Sequence, residues 1–297
     1  MKIGIIGAGK WGQALRYALS KNPNNELYIT SRHPKDIPNF LLVEEILKLE
    51  YLVFAISAQH ARAWLEEHFV FHNQKILVAS KGIELGSGKF LNEIFSEYLP
   101  EENMAYISGP SFAAEVQQGL PCALVISSTN ALLAEKYSSF FPQFIKTYTS
   151  SDVIGAEVSG AYKNVIAIAS GICEGLGLGN NARASLISRG LVEMMRFGKH
   201  FGAKKDTFIG LGGSGDLFLT ASSTLSRNFR VGLALAEGKK IETILEDLGE
   251  VAEGVPTAEA IVKIAQKEDI YAPIAQEVSA IIQGKNPKES LKDLLGN

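Results

Sequence analysis

The first half of the chain alternates short apolar runs with helical periodicities. KIGIIG (2–7), ELYIT (26–30), YLVFAIS (51–57), KILVAS (75–80), AYIS (105–108) and CALVIS (122–127) are rich in Ile, Val, Leu and Tyr. Gly, Pro, Ser or Asn bound them, which is the punctuation of strands. Several are apolar throughout rather than alternating, as strands covered on both faces must be. Between them, WGQALRYALSK places Trp11, Leu15, Ala18 and Leu19 on one helical face. FLNEIFSEYL does the same with Phe90 and Ile94, and with Leu91 and Tyr98. Strand, helix, strand in repetition predicts a doubly wound parallel sheet. From about residue 154 the pattern becomes helical, with apolar residues three and four apart over Ser185–Phe197, Ala258–Ala265 and Ile274–Ile282. No strand is expected there, and no internal repeat is visible.

Composition narrows this little. The 297 residues are 46% hydrophobic and 21% charged, with a net charge of −3, ordinary values for a globular chain. Charge so near balance leaves no basic footprint for nucleic acid. Cys122 and Cys173 are far apart, make no metal-ligand pattern and fit a reducing cytosol. The amino terminus MKIGIIGAGK is broken by glycines, unlike a signal sequence. No apolar run approaches the ~20 residues of a membrane span. A cytoplasmic protein without a membrane span or a bound metal is the expectation.

GAGKWG supplies Gly7, Gly9 and Gly12 in the spacing G-x-G-x-x-G, with Lys10 and Trp11 inside it. It follows a predicted strand and opens a predicted helix, the context that gives this motif its meaning. The first glycine permits a tight turn, the second lets a pyrophosphate approach the backbone, and the third lets helix and strand pack closely. The pyrophosphate would rest on the helix N-terminus. The expected fold class is therefore α/β: an N-terminal Rossmann-like, dinucleotide-binding domain over residues 1–153, then an all-helical substrate and catalytic domain over 154–297. NAD-selective sites usually carry Asp or Glu about 20 residues on. Here Ser31 and Arg32 follow the second strand, and a guanidinium suits a 2′-phosphate. NADP is favoured as cofactor, with NAD also expected.

Further stretches combine small residues with one charge. ASKGIE ends a strand with Ser80 and Lys81, and SGPSFAAEV ends another with Gly109, Ser111 and Ala113. Open α/β sheets meet their ligands at such carboxyl ends. GGSGDLFLT sets Asp216 after a glycine cluster, SRNFRVG offers Ser226, Arg227 and Asn228 as a grip for phosphate, and VAEGVPTAEA carries Val251 and Glu253. GAYKNVIAIASG (160–171) places Lys163 in an otherwise apolar helix, on one face with Ser159, Gly160, Ala167 and Ser170. A buried ammonium must find a partner or lose its proton. A lowered lysine pKa suits proton transfer near neutral pH, and Asp216 is the expected partner.

Together these blocks, with SSTLSRNFRVG and GLGGSGDLFLT among them, make the chain resemble the bacterial type of NAD(P)-dependent glycerol-3-phosphate dehydrogenase over nearly its whole length. The resemblance implies reversible reduction of dihydroxyacetone phosphate to sn-glycerol 3-phosphate for glycerophospholipid synthesis. It makes Lys163 the residue that exchanges a proton with the substrate C2 oxygen, with Lys81 and Asp216 as its polar companions. Gly109 and Ser111 line the same site, and Ser226, Arg227 and Asn228 take the substrate phosphate. Gly7, Gly9, Lys10, Trp11, Gly12, Arg32, Lys81, Ala113, Arg227, Val251 and Glu253 fall at cofactor positions. HPKDIPNFLLVEEIL, after the second strand, is shorter than the family's usual stretch. Ketopantoate and 3-hydroxyacid reductases share the architecture, but their substrates carry no phosphate for the SRN block. A regulator that merely binds the cofactor would not need Lys163, Asp216 and Arg227. Helical second domains with apolar surface commonly pair, so a homodimer is a further expectation.

Overall fold

The computed structural model describes residues 1–290; the last seven residues of the expected helical domain lie outside them. Two compact units result. The first holds Met1–Lys81 and Leu91–Ala156, and the second holds Gly82–Phe90 and the chain from Glu157 onward.

In the first unit the predicted runs become β1 (Lys2–Ile6), β2 (Glu26–Thr30), β3 (Tyr51–Phe54), β4 (Lys75–Val78), β5 (Met104–Ser108) and β6 (Cys122–Ser127). A seventh strand, β7 (Ile145–Ser150), completes a sheet of order β2-β1-β3-β4-β5-β6-β7. Interposed are α1 (Lys10–Ser20), α2 (Val43–Ile46), α3 (Ala58–His68), α4 (Leu91–Phe95), α5 (Ala113–Gln117) and α6 (Ala131–Ser138). Tyr51–Phe54 is buried at every position, as its continuous apolarity requires. α1 buries Gly12, Ala14, Leu15, Ala18 and Leu19, and separate apolar clusters fill the two faces of the sheet.

Two features correct the expectation of a wholly parallel, six-run sheet. β5 and β6 pair antiparallel, with Ile107 opposite Ile126. A parallel neighbour needs a crossover spanning the sheet, and the five-residue α5, at ~1.5 Å per residue, is too short for one. The link instead returns at the same sheet edge. β7 reads IKTYTS, and only its first residue, Ile145, is buried. It is an edge strand beside β6, so its polar alternation carried no core signal.

The second unit is helical, and no strand occurs among the described residues after Ser150. Its elements are α7 (Val153–Gly175), α8 (Gly179–His200), α9 (Lys205–Ile209), α10 (Asp216–Ala221), α11 (Arg227–Ala236), α12 (Ile241–Leu248), α13 (Gly254–Lys267) and α14 (Pro273–Ile282). Asp152 Oδ1 accepts from Gly155 N–H at the start of α7, and every residue from Gly155 to Cys173 is buried. α11 crosses α7 backbone to backbone. A Cβ on Gly171 would stand 2.1 Å from the Phe229 carbonyl, and one on Gly232 would stand 2.1 Å from that of Ile168.

Glu193 on α8 is only 2% exposed. It accepts hydrogen bonds from the Tyr162 hydroxyl at 2.8 Å and from Ile274 and Ala275 N–H at 2.9 Å each. Pro273 begins α14 and has no N–H, so this carboxylate takes the first two orphan donors of that helix. Burial nonetheless dominates and pushes the carboxyl upward, against those hydrogen bonds. Between the ordinary carboxylate value and this raised one, the native chain holds a proton that the unfolded chain has lost. Stability from this group is therefore full at low pH and falls as pH rises through that window. In urea titrations at several pH values, the stability of the wild type relative to Glu193→Gln should decline across the window and level off above it. A pH-independent difference would contradict the assignment.

Candidate active site

The glycine loop is built as its sequence demands. Gly7 adopts φ +109°, a region other residues avoid. At Gly12 a Cβ would lie 1.9 Å from the Gly7 carbonyl oxygen, so only glycine lets α1 start this close to β1. Beside Gly9 no protein atom lies within 4 Å of a Cβ position, which leaves the backbone open to a ligand. Gly9 is also the N-cap of α1 and makes no side-chain cap bond. The N–H donors of this first turn thus suit a pyrophosphate. Trp11 Nε1 donates to the Ala79 carbonyl at 3.0 Å, tying the loop to the end of β4. Lys10 and Arg32 are exposed.

Lys35 was not singled out from the sequence. Its ammonium donates to the Ala8 carbonyl at 3.1 Å, which places a cation against the glycine loop from the short segment after β2. Loop charge offers no periodicity to read, so only the fold reveals it. Lys81 follows β4, and Ser80 Oγ donates to the Ile56 carbonyl. Gly109 and Ser111 follow β5, with Ser111 Oγ donating to the Gly109 carbonyl at 3.2 Å, and Ala113 opens α5. All of these stand at the carboxyl ends of their strands, the ligand side of a wound sheet. An open depression of about 680 Å³ in this unit, lined by Lys48, His68 and Gln74 among others, contains none of the expected site residues. It flanks the amino ends of β3 and β4, the wrong end for such chemistry.

In the second unit Lys163 and Asp216 meet. Nζ donates to Asp216 Oδ1, and the side chains are 9% and 3% exposed. Removing two ions from water is costly and is recovered only when each is well placed. Three features of the chain fix that placement. Gly215 N–H bonds back to the Gly210 carbonyl at 3.2 Å, a five-residue π turn across Leu211–Gly215. Such turns recur at functional sites, and this one delivers Asp216 to the first position of α10. Thr220 Oγ1 donates to the Asp216 carbonyl at 2.6 Å and lies 3.4 Å from its Oδ1. Ser170 Oγ donates at 2.6 Å to the carbonyl of Ala221, the last residue of α10, where a helix leaves acceptors unsatisfied. Ser170 thereby sets the register of α10 along α7. Asn164, also buried, donates to the Gly160 carbonyl at 3.3 Å. Thr220 and Asn164 were missed because a hydroxyl or amide on an apolar helix reads as ordinary filler.

The SRN block forms the start of α11. Ser226 is its N-cap, accepting from Phe229 N–H at 3.3 Å. Arg227 lies 3.5 Å from the carboxylate of Glu250. Asn228 Oδ1 accepts from Gly254 N–H at 3.0 Å, which fixes the amide so that its NH₂ group is the end left to serve a ligand. Val251 is exposed, and Glu253 precedes α13. Among the described residues no group of three His, Cys, Asp or Glu is arranged to hold a metal ion, and no helix is long and apolar enough to cross a membrane.

A G-x-G-x-x-G loop at the carboxyl end of β1 and a buried ammonium–carboxylate pair in a helical unit suit the class of nucleotide-dependent dehydrogenases. Sequence comparison fixes the kind. Residues 39–134 match the family model for the N-terminus of NAD-dependent glycerol-3-phosphate dehydrogenase, and residues 152–292 match the model for its C-terminus. The glycerol-3-phosphate dehydrogenase [NAD(P)+] of Sulfurimonas denitrificans is 64% identical over 100% of this chain and 99% of its own. That of Nitratiruptor is 63% identical over 99% and 98%. A crystal structure of glycerol-3-phosphate dehydrogenase from Coxiella burnetii superposes with a TM-score of 0.91, at 30% identity, covering 100% of this chain and 99% of that one. The chain belongs to the NAD-dependent glycerol-3-phosphate dehydrogenase family.

Asp216→Asn takes the negative charge away from beside the buried Lys163 ammonium. Urea denaturation should show a loss of about 3–5 kcal/mol. The double variant Lys163→Met, Asp216→Leu should recover most of that stability. A single variant as stable as the wild type would show that the pair does not organise this unit.

Proposed function

We propose that this enzyme reversibly reduces dihydroxyacetone phosphate to sn-glycerol 3-phosphate with NADPH or NADH, and that the product supplies glycerophospholipid synthesis. The observation that carries the reading is the buried Lys163–Asp216 pair, set in a chain that is 64% identical to a glycerol-3-phosphate dehydrogenase [NAD(P)+]. The nicotinamide, when bound, supplies the hydride to C2. Lys163 then meets the charge developing on the C2 oxygen, stabilises it and gives it a proton. Asp216 keeps the ammonium charged and aimed before reaction, and recovers it afterwards as the lysine takes up a proton from solvent. The apolar wall of α7 excludes water from that charge, which strengthens its action.

Ser226, Arg227 and Asn228 hold the substrate phosphate at the first turn of α11, where a guanidinium, an amide NH₂ and a helix N-terminus converge on an anion. Binding energy from this remote group orients the reacting carbon. Lys81, Gly109 and Ser111 are assigned to the substrate, with Lys81 also companion to the reacting oxygen. Gly7, Gly9, Lys10, Trp11, Gly12 and Ala113 are assigned to the cofactor in the first unit, and Arg227, Val251 and Glu253 in the second. Arg32, now joined by Lys35, places cations on the adenosine side and favours the 2′-phosphate of NADPH. The free thiols of Cys122 and Cys173 suit the reducing cytoplasm. Exposed Val192, Phe218, Leu225 and Tyr271 on the helical unit suit pairing with a second copy.

Steady-state oxidation of NADPH and NADH with dihydroxyacetone phosphate, and with ketopantoate as the alternative, tests this. Turnover is expected with the phosphorylated ketone. Arg227→Ala should raise its KM about tenfold or more, the loss of a charge-assisted contact. Turnover of ketopantoate alone would overturn the assignment.

A further inference from the structure

The segment Glu250–Gly254 is fastened to the first turn of α11 at two points. Gly254 N–H bonds to Asn228 Oδ1 at 3.0 Å, and the Glu250 carboxylate faces the Arg227 guanidinium at 3.5 Å. The first contact is buried. The second is not: the Arg227 and Glu250 side chains are 41% and 23% exposed, so the pair is solvated and readily exchanged. Glu250 thus presents an anionic group to the cation proposed to receive the substrate phosphate. It also stands beside the first turn of a ten-residue helix whose Ser226 cap and N-terminal dipole favour negative charge.

We propose that Glu250 is a resident competitor for the anion seat at the head of α11, and so a specificity-determining residue of this enzyme. Its carboxylate occupies Arg227 until a dianionic phosphate displaces it. Singly charged anions, no stronger than the carboxylate itself, gain little by exchange. A phosphate monoester brings a second charge and more acceptor oxygens, and it engages the guanidinium bidentately. The Asn228–Gly254 bond keeps Glu250 within reach, so the displaced carboxylate continues to oppose weak anions. Discrimination of this kind is set by an opposing charge as much as by an attractive one. The proposal rests on the reading of Arg227 as a phosphate ligand, and its test separates the two.

The probes are dihydroxyacetone phosphate as substrate and inorganic phosphate as competitive inhibitor, with NADPH saturating. Glu250→Gln keeps the side-chain shape and removes the charge. It should lower both the substrate KM and the phosphate inhibition constant about two- to fivefold, the span of a solvated ion pair, with kcat unchanged. Glu250→Ala should move both in the same direction. Combined with Arg227→Ala, Glu250→Gln should have no further effect. Unchanged or raised constants in Glu250→Gln, with Arg227→Ala still raising KM, would overturn the competitor role and leave the phosphate site standing. An Arg227→Ala enzyme with unaltered KM would instead remove the phosphate reading on which the proposal stands.

Discussion

The ion pair between Lys163 and Asp216 is the constraint around which the helical unit is organised. An ammonium and a carboxylate withdrawn from water are tolerated only in close, fixed geometry, and much of the local structure supplies that geometry. α7 is buried along the whole stretch that carries the lysine, so the ammonium is held by its partner rather than by bulk water. The π turn at Leu211–Gly215 sets where α10 begins, and the Ser170 bond to Ala221 sets where it ends. A slip of either helix would separate the charges. α7 also offers α11 a glycine crossing, where Phe229 and Gly232 meet Gly171 and Ile168, and the Ser226 cap stands at the start of that crossing helix. Lys163 and the helix that carries Ser226, Arg227 and Asn228 are therefore both tied to α7.

Each unit brings a different kind of precision. In the first, the precision is that of the main chain: glycines at Gly7 and Gly12 remove atoms, and the helix start has no side-chain cap bond. In the second, side chains act, and buried partners must hold them. Glu193 belongs to this second economy of structure without touching the proposed substrate groups. It ties Tyr162, the neighbour of Lys163, to the start of α14, and so steadies α7 by a separate carboxylate.

Much of this was legible in the amino-acid order. The apolar runs from Lys2 to Ser127 and the helical repeats after residue 154 come from hydrophobic spacing, which depends on burial and survives into the fold. The glycine loop was legible because its spacing encodes backbone clearance. Lys163 stood out as a charge in the wrong surroundings, the local conflict that functional sites produce. What escaped depends on partners distant in sequence. β7 is an edge strand whose polar faces look like loop, and the reversal of β6 follows from the shortness of α5 rather than from β6 itself. Thr220, Glu193 and Lys35 acquire meaning only from the groups opposite them, which no local pattern records. Glu250 is the clearest case, since an acidic residue near a helix end reads as solvated surface until Arg227 is seen beside it.

The central claim is that Lys163 supplies the proton to the substrate oxygen while other residues hold the cofactor. The most direct measurement is made on Lys163→Met, with NADPH affinity read by fluorescence titration and turnover read with dihydroxyacetone phosphate. NADPH affinity should stay within about twofold of the wild type, while turnover should fall by about 10²–10⁴-fold, the span of a lost general acid. Turnover near the wild-type rate in a variant that still binds NADPH would contradict the account.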